Sequence, residues 1–189
     1  MGNWKITTLG SVLMGGILVF SLYGIGNTIA SGDNERKWEH EGDSFDKTMT
    51  VDNIVYVDEC GSCHMAYPAQ MLPSESWRKI MNGLDDHFDE NAELDVESQK
   101  AIEEYLQGSS EYGSGKYRKM FRNLGNQSPL RITELPYFRH EHDEIPSRFF
   151  KDNDKLTSLS QCSACHQNAE KGWFDEDDVF IPGIGRWDD

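Results

Sequence analysis

The sequence predicts a mainly α protein of two small domains. Three observations carry that expectation. No stretch shows the apolar–polar alternation of a convincing strand. Several short segments place apolar residues at i, i+3 and i+4 behind a capping residue. A Gly/Ser-rich stretch at residues 108–115 divides the chain. A length of 189 residues allows one or two such domains.

Residues 1–30 do not read as folding material. Lys5 is their only charge, an apolar run extends from Leu9 to Ile25, and Thr28-Ile29-Ala30 precedes Ser31. That pattern reads as a signal peptide. The competing reading is an uncleaved N-terminal membrane anchor, because the run is near the lower length limit for spanning a bilayer. Both imply export. Residues 31–52 are charged, with few apolar positions, and read as an acidic linker arm.

The first domain is expected at 53–110. A short helix over Asp58–Tyr67 is followed by a turn between Pro68 and Pro73. Ser74 caps a helix through Asn82, with Trp77, Ile80 and Met81 on one face and Gly83 ending it. Asp95 caps a helix to Gln107 that turns Val96, Ile102, Tyr105 and Leu106 inward, with Gly108 just past its end. The second domain is expected at 111–189. A helix over Lys116–Leu124 shares one face among Tyr117, Met120, Phe121 and Leu124. Thr133 starts a helix through Glu144, stopped by Pro146. Ser158 or Ser160 starts another that ends near Gly172. Acidic residues Asp175–Asp178 then precede an irregular Pro/Gly end.

The charge is strongly unbalanced. Beyond Lys5, 17 basic side chains face 33 acidic ones. Such a surface disfavours nucleic acid and anionic lipid, and suits a partner with a basic docking patch.

Four cysteines in an exported chain would ordinarily suggest disulfides. Here all four lie in two identical patterns, Cys60-Gly61-Ser62-Cys63-His64 and Cys162-Ser163-Ala164-Cys165-His166. C-x-x-C-H is a haem attachment signature. Two thiols three residues apart can each add to one vinyl group on the same edge of a porphyrin, and the adjacent histidine is directed at the iron as proximal ligand. A zinc site would leave the histidines superfluous, and a thioredoxin-like pair would not recur with histidine in the same place. Two covalent haem c groups are therefore expected, which makes 53–110 a first and 111–189 a second haem domain. The macrocycles would supply apolar core to a chain only 37% hydrophobic, so the holo-protein should be much more stable than the bare polypeptide.

The remaining axial positions decide between electron transfer and small-molecule chemistry. Four histidines are left after His64 and His166: His40, His87, His140 and His142. His87 lies in a loop long enough to wrap over the far face of the first haem. His140 and His142 are about 200° apart around a helix axis, so only one can face a haem. Periodicity leaves that choice open. His40, in the arm, reads as surface. Met71 rivals His87, and Met120 rivals His142. Met81 reads as core, and Met65 is too close to His64 to reach the opposite face.

Beyond single motifs, the segments Glu59–Pro68, Leu72–Trp77, Met81–Phe88, Arg131–Thr133, Phe138–Pro146 and Cys162–Pro182 together resemble the dihaem cytochrome c family of bacterial periplasmic electron carriers. The resemblance implies an N-terminal domain like the small class I cytochromes c and a C-terminal haem domain with little regular secondary structure. It implies bis-histidine ligation and low potentials. His87 falls on the family's histidine-phenylalanine pair. His142, followed by Glu144-Ile145-Pro146, falls on its later histidine, which selects His142 over His140. Asp89 stands where the family usually has glycine, and His140 stands at a position that is usually basic. The resemblance also implies redox protein partners: a small oxygen-binding c-type haem protein and a membrane cytochrome b.

The expected function is thus a periplasmic dihaem relay, not an enzyme, between a membrane donor and a haem-protein or reductase acceptor. The alternatives are a fixed electron-transfer subunit of a membrane oxidoreductase complex and a dihaem peroxidase. A peroxidase would need one iron with an open site, and the spare histidines count against it.

Overall fold

The computed structural model describes residues 49–110, 115–151 and 153–187. The leader, most of the acidic arm and His40 lie outside them. The described residues belong to one compact unit. They are mainly helical, with one very small sheet.

Helix α1 spans Ile54–Cys60. It sits earlier than the expected Asp58–Tyr67, because Asn53 provides the start: its side chain accepts from the Tyr56 N–H at 2.9 Å. Between the two prolines, Ala69–Met71 form one 3₁₀ turn. Helix α2, Ser74–Met81, takes Ser74 as its first residue, with Pro73 at the cap position. Trp77 and Met81 are buried on its inner face. The Trp77 indole N–H donates to the Ala69 carbonyl at 2.7 Å, which ties α2 to the turn before it.

Helix α3, Val96–Ser109, is capped by Asp95, whose carboxylate accepts from the N–H groups of Glu97 and Ser98. It runs through Gly108 rather than stopping before it. Ile102 and Leu106 are buried as expected, whereas Val96, in the first turn, is 83% exposed. Helices α2 and α3 form the main helix pair, and α1 packs against α3.

The stretch from Gly115 to Phe121 is 3₁₀ rather than α-helical. Tyr117, Met120, Phe121 and Leu124 are nevertheless all buried. They join Tyr56, Trp77, Ile102 and Leu106 in one cluster that continues to Leu135. The apolar core thus bridges both sides of the Gly/Ser-rich stretch. Each fully buried Leu or Ile in it contributes about 1.5–3 kcal/mol.

Beyond Leu135, regular structure is sparse. The expected helix from Thr133 to Glu144 is split into a 3₁₀ turn, Ile132–Glu134, and helix α4, Pro136–Glu141. Pro136 explains the break, since proline holds the residue before it extended and suits the first turn of a new helix. Helix α5 is Arg148–Lys151 and α6 is Cys162–Cys165. Neither Ser158 nor Ser160 caps α6. Gln161 precedes it, and its side-chain oxygen accepts from the Thr157 and Ser158 N–H groups. Contrary to the expectation of no strands, Phe180–Ile181 (β1) and Gly185–Arg186 (β2) pair antiparallel across a tight turn. Ile181 joins Leu156 and Val179 in a second, smaller core.

Gly172, in the turn after the second C-x-x-C-H motif, holds the start of the described chain. Its φ is +73°, and its carbonyl accepts from the Met49 N–H at 3.1 Å. A Cβ there would collide with the Met49 backbone, so only glycine allows this approach.

No helix among the described residues is long and apolar enough to cross a membrane.

Candidate functional site

The first motif lies where α1 ends. Cys60 is the last helical residue, and Gly61 to Cys63 continue as turns, held by the Gly61 N–H to Val57 carbonyl bond of 2.9 Å. His64 then leaves the helix axis. Its Nδ1–H donates to the Met65 carbonyl at 2.7 Å, which leaves Nε2 as the outward-facing nitrogen. The Tyr67 ring stacks on the His64 ring, with centres 4.9 Å apart and planes 26° apart.

Opposite His64 stands His87. The ring centres are 6.3 Å apart and the planes 20° apart. The loop that delivers His87 turns back at once. The His87 N–H donates to the Glu90 carbonyl at 2.7 Å, and the Glu90 N–H returns to His87 at 3.3 Å. Phe88 and Asp89 between them have φ of +57° and +76°. Two successive positive φ values mark a type I′ turn. The Phe88 ring meets the His87 ring edge-on at 4.8 Å, and the Arg131 guanidinium lies 3.9 Å from the Phe88 ring centre. Burial, then the nearby His64 and Arg131, hold the His87 pKa below its ordinary value.

The second motif repeats the arrangement with different supports. Cys162 and Cys165 bracket α6, and the His166 N–H donates to the Cys162 carbonyl at 2.8 Å. The His166 backbone bridges to Val179, which presses it onto the C-terminal segment. Across from it stands His142, with ring centres 6.2 Å apart and planes 70° apart. His142 sits at the C-terminal cap of α4, so its backbone has left the helical path on which His140 lies. Its Nδ1–H donates to the Phe138 carbonyl at 2.8 Å, and its ring stacks on Phe138 at 3.9 Å. His140 instead lies 3.9 Å from the Asp143 carboxylate. Burial depresses the His142 pKa, opposed by its bond to Phe138. Burial, reinforced by His142, depresses that of His166 to about 4.

Met71, Met81 and Met120 are all buried in the larger core, where they fill space among helices. Among the described residues there is no cluster of three or more His, Cys, Asp or Glu suited to a metal ion. None of the four cysteines is paired in a disulfide. Burial pushes Cys60 and Cys162 up to about 11, which is the reverse of what a reactive redox dithiol needs.

These residues fit haem. An iron between two imidazoles, with metal–nitrogen bonds of about 2 Å, sets the ring centres about 6 Å apart. Both histidine pairs have that spacing. Each also has two thiols immediately beside one of its imidazoles. His166 Nδ1 is buried without a partner, so its ring is placed by packing and by whatever its other nitrogen holds.

Sequence reasoning missed three supports. Tyr67 carries a signal that could have been used, an aromatic three residues past the proximal histidine. Phe138, four residues before His142, carries another, since i and i+4 share a helix face. Arg131 carries none, because only the fold brings it to Phe88.

Comparisons with known proteins bear on the family of the chain. Residues 56–174 match the family model for dihaem cytochrome c. A diheme cytochrome c from Shewanella baltica is 48% identical, with a TM-score of 0.61, and the match covers 72% of this chain and 98% of that one. A diheme cytochrome c from Rhodobacter sphaeroides is 42% identical, with a TM-score of 0.60, over 66% of this chain and 98% of that one. No curated protein matches the chain. With the family model matching more than half of the sequence and these structural relatives above 40% identity, the chain belongs to the dihaem cytochrome c family, which means two covalently bound haem c groups and a role in electron transfer.

Proposed function

We propose that the protein is an exported electron relay with bis-histidine ligation at both irons. His64 and His87 hold the first, His166 and His142 the second. Cys60 and Cys63, then Cys162 and Cys165, are the covalent anchors. The observation that carries this reading is the repeated opposition of two imidazoles at one-iron spacing, 6.3 and 6.2 Å.

When bound, each haem supplies an iron that changes by one electron. The chain's own residues do the rest. The backbone bonds of His64 and His142 fix their tautomers and hold both rings on target, so little rearrangement accompanies electron gain or loss. Closing both axial positions leaves no iron for a substrate, which favours a relay over a dihaem peroxidase. Imidazole on both faces, without a methionine thioether, favours low potentials. The N-terminal haem domain is read as similar to small class I cytochromes c, and the second as held mainly by haem and turns.

The leader pattern of residues 1–30 supports a periplasmic location. The excess of acidic side chains supports redox partners with basic docking patches. By family resemblance, a membrane cytochrome b donates and a small oxygen-binding haem protein accepts. The apolar run from Leu9 to Ile25 favours a second reading, a subunit anchored to a membrane oxidoreductase complex. N-terminal sequencing of the purified protein separates the two.

The ligand set is tested with His87→Ala and His142→Ala. Each is expected to turn one haem high-spin and let it bind carbon monoxide, with two haems still attached by mass. His140→Ala is expected to leave both low-spin. Unchanged low-spin spectra in the first two variants would overturn the reading.

A further inference from the structure

One side chain touches both haem sites. Tyr67 is held at three points. Its carbonyl accepts from the Tyr56 hydroxyl at 2.8 Å, which fixes its backbone on α1. Its ring stacks on the proximal His64 at 4.9 Å. Its hydroxyl donates across 93 residues of sequence to the Ser160 carbonyl at 3.2 Å. That same carbonyl lies 3.7 Å from Cys162 Sγ, the first anchor of the second motif. The Ser160 position is itself fixed, because its N–H donates to the Ser158 hydroxyl at 3.1 Å. An unbroken series of contacts thus runs from an axial imidazole of one site to an attachment sulfur of the other.

We propose that Tyr67 is the positioning residue that couples the two haems. It fixes the two attachment segments relative to one another and provides a continuous route of contacts between them, so it governs the rate at which an electron passes within the molecule. The inference rests on the relay reading above. The electron that leaves one iron enters the other, and Tyr67 is neither oxidised nor reduced. Its hydroxyl keeps its proton, which it donates to the Ser160 carbonyl. Two discrete parts contribute. The ring orients His64, and the hydroxyl clamps the segment entering the second motif. Removing them separately should therefore give graded effects.

The test uses the holo-protein with both haems. Flash photoreduction delivers less than one electron per molecule, and the equilibration between haems is followed optically. Tyr67→Phe keeps the stack and loses the clamp, and should slow equilibration several-fold while both haems stay low-spin. Tyr67→Leu loses both and should slow it further, with a shift in the electron paramagnetic resonance signal of the first haem. Tyr105→Phe removes a hydroxyl from the same core without touching either motif, and should leave the rate unchanged. Equal rates in wild type, Tyr67→Phe and Tyr67→Leu would overturn the proposal in favour of direct exchange between the macrocycles. A comparable slowing in Tyr105→Phe would also overturn it, since the effect would then belong to the core. A wild type in which the haems never equilibrate would overturn the relay reading itself.

Discussion

The backbones of His87 and Glu90 close on one another through two hydrogen bonds, 2.7 Å and 3.3 Å, around Phe88 and Asp89, both of which have positive φ. This four-residue turn aims the His87 ring at His64. Its conformation ordinarily favours glycine, asparagine or aspartate at the two central positions, so Phe88 is the strained residue in the support of His87. The contacts of Phe88 with His87 and Arg131 help to offset that strain.

Asp89 is the residue to probe. Its φ of +76° is a conformation that glycine adopts without strain. Asp89→Gly should keep or raise the melting temperature. Asp89→Val, a β-branched residue forced to positive φ, should cost about 2 kcal/mol. Thermal melts of the holo-protein check this, and equal stability of the two variants would contradict it.

Arg131 places a fixed cation beside the support of His87. A positive charge favours the electron-richer state, so it raises the potential of the nearer haem. Arg131→Gln should lower one midpoint potential in a redox titration and leave the other in place, with loss of about 0.5–1 kcal/mol of stability. Arg131→Lys should retain most of the potential. Because the guanidinium is solvent-exposed, the difference between wild type and Arg131→Gln should shrink at high salt.

The two imidazole pairs differ in their twist, 20° at the first and 70° at the second. Nearly parallel imidazoles split the iron's two π-bonding d orbitals, whereas nearly crossed ones leave them close in energy. The oxidised protein should therefore show two distinct low-spin electron paramagnetic resonance signals, one rhombic and one strongly anisotropic with a large maximum g. A single signal from both haems would rule out this difference in ligand orientation.

Gly172 joins the segment before α1 to the turn after the second motif through its bond to Met49. An alanine there would suffer both the φ of +73° and a collision with the Met49 backbone. Gly172→Ala should cost roughly 2–4 kcal/mol by combining strain with a lost contact. Denaturant unfolding followed by absorbance at the haem bands measures it, and a loss below 1 kcal/mol would show that the segment simply moves aside.

Much of this molecule was legible in its amino acids alone. The two C-x-x-C-H repeats determined the cofactor, because covalent attachment needs two thiols and an imidazole within five consecutive residues, a purely local requirement. The Asp95 cap of α3 and the buried faces of Trp77, Met81, Ile102 and Leu106 followed from short-range patterns, whereas Ser74, expected to cap α2, is its first helical residue behind Pro73. The same periodicity buried Tyr117, Met120 and Phe121 correctly while mistaking a 3₁₀ stretch for an α-helix, since both place i and i+3 on nearly the same side. Spacing alone could not choose between His140 and His142, because it assumed a helix that Pro136 restarts and His142 terminates. Only the tertiary structure sets His142 across from His166, brings Arg131 over Phe88, and joins Tyr67 to a carbonyl 93 residues away. Those relationships depend on how separate segments pack in space, and no local pattern in a chain encodes a distance between parts that meet only after it folds.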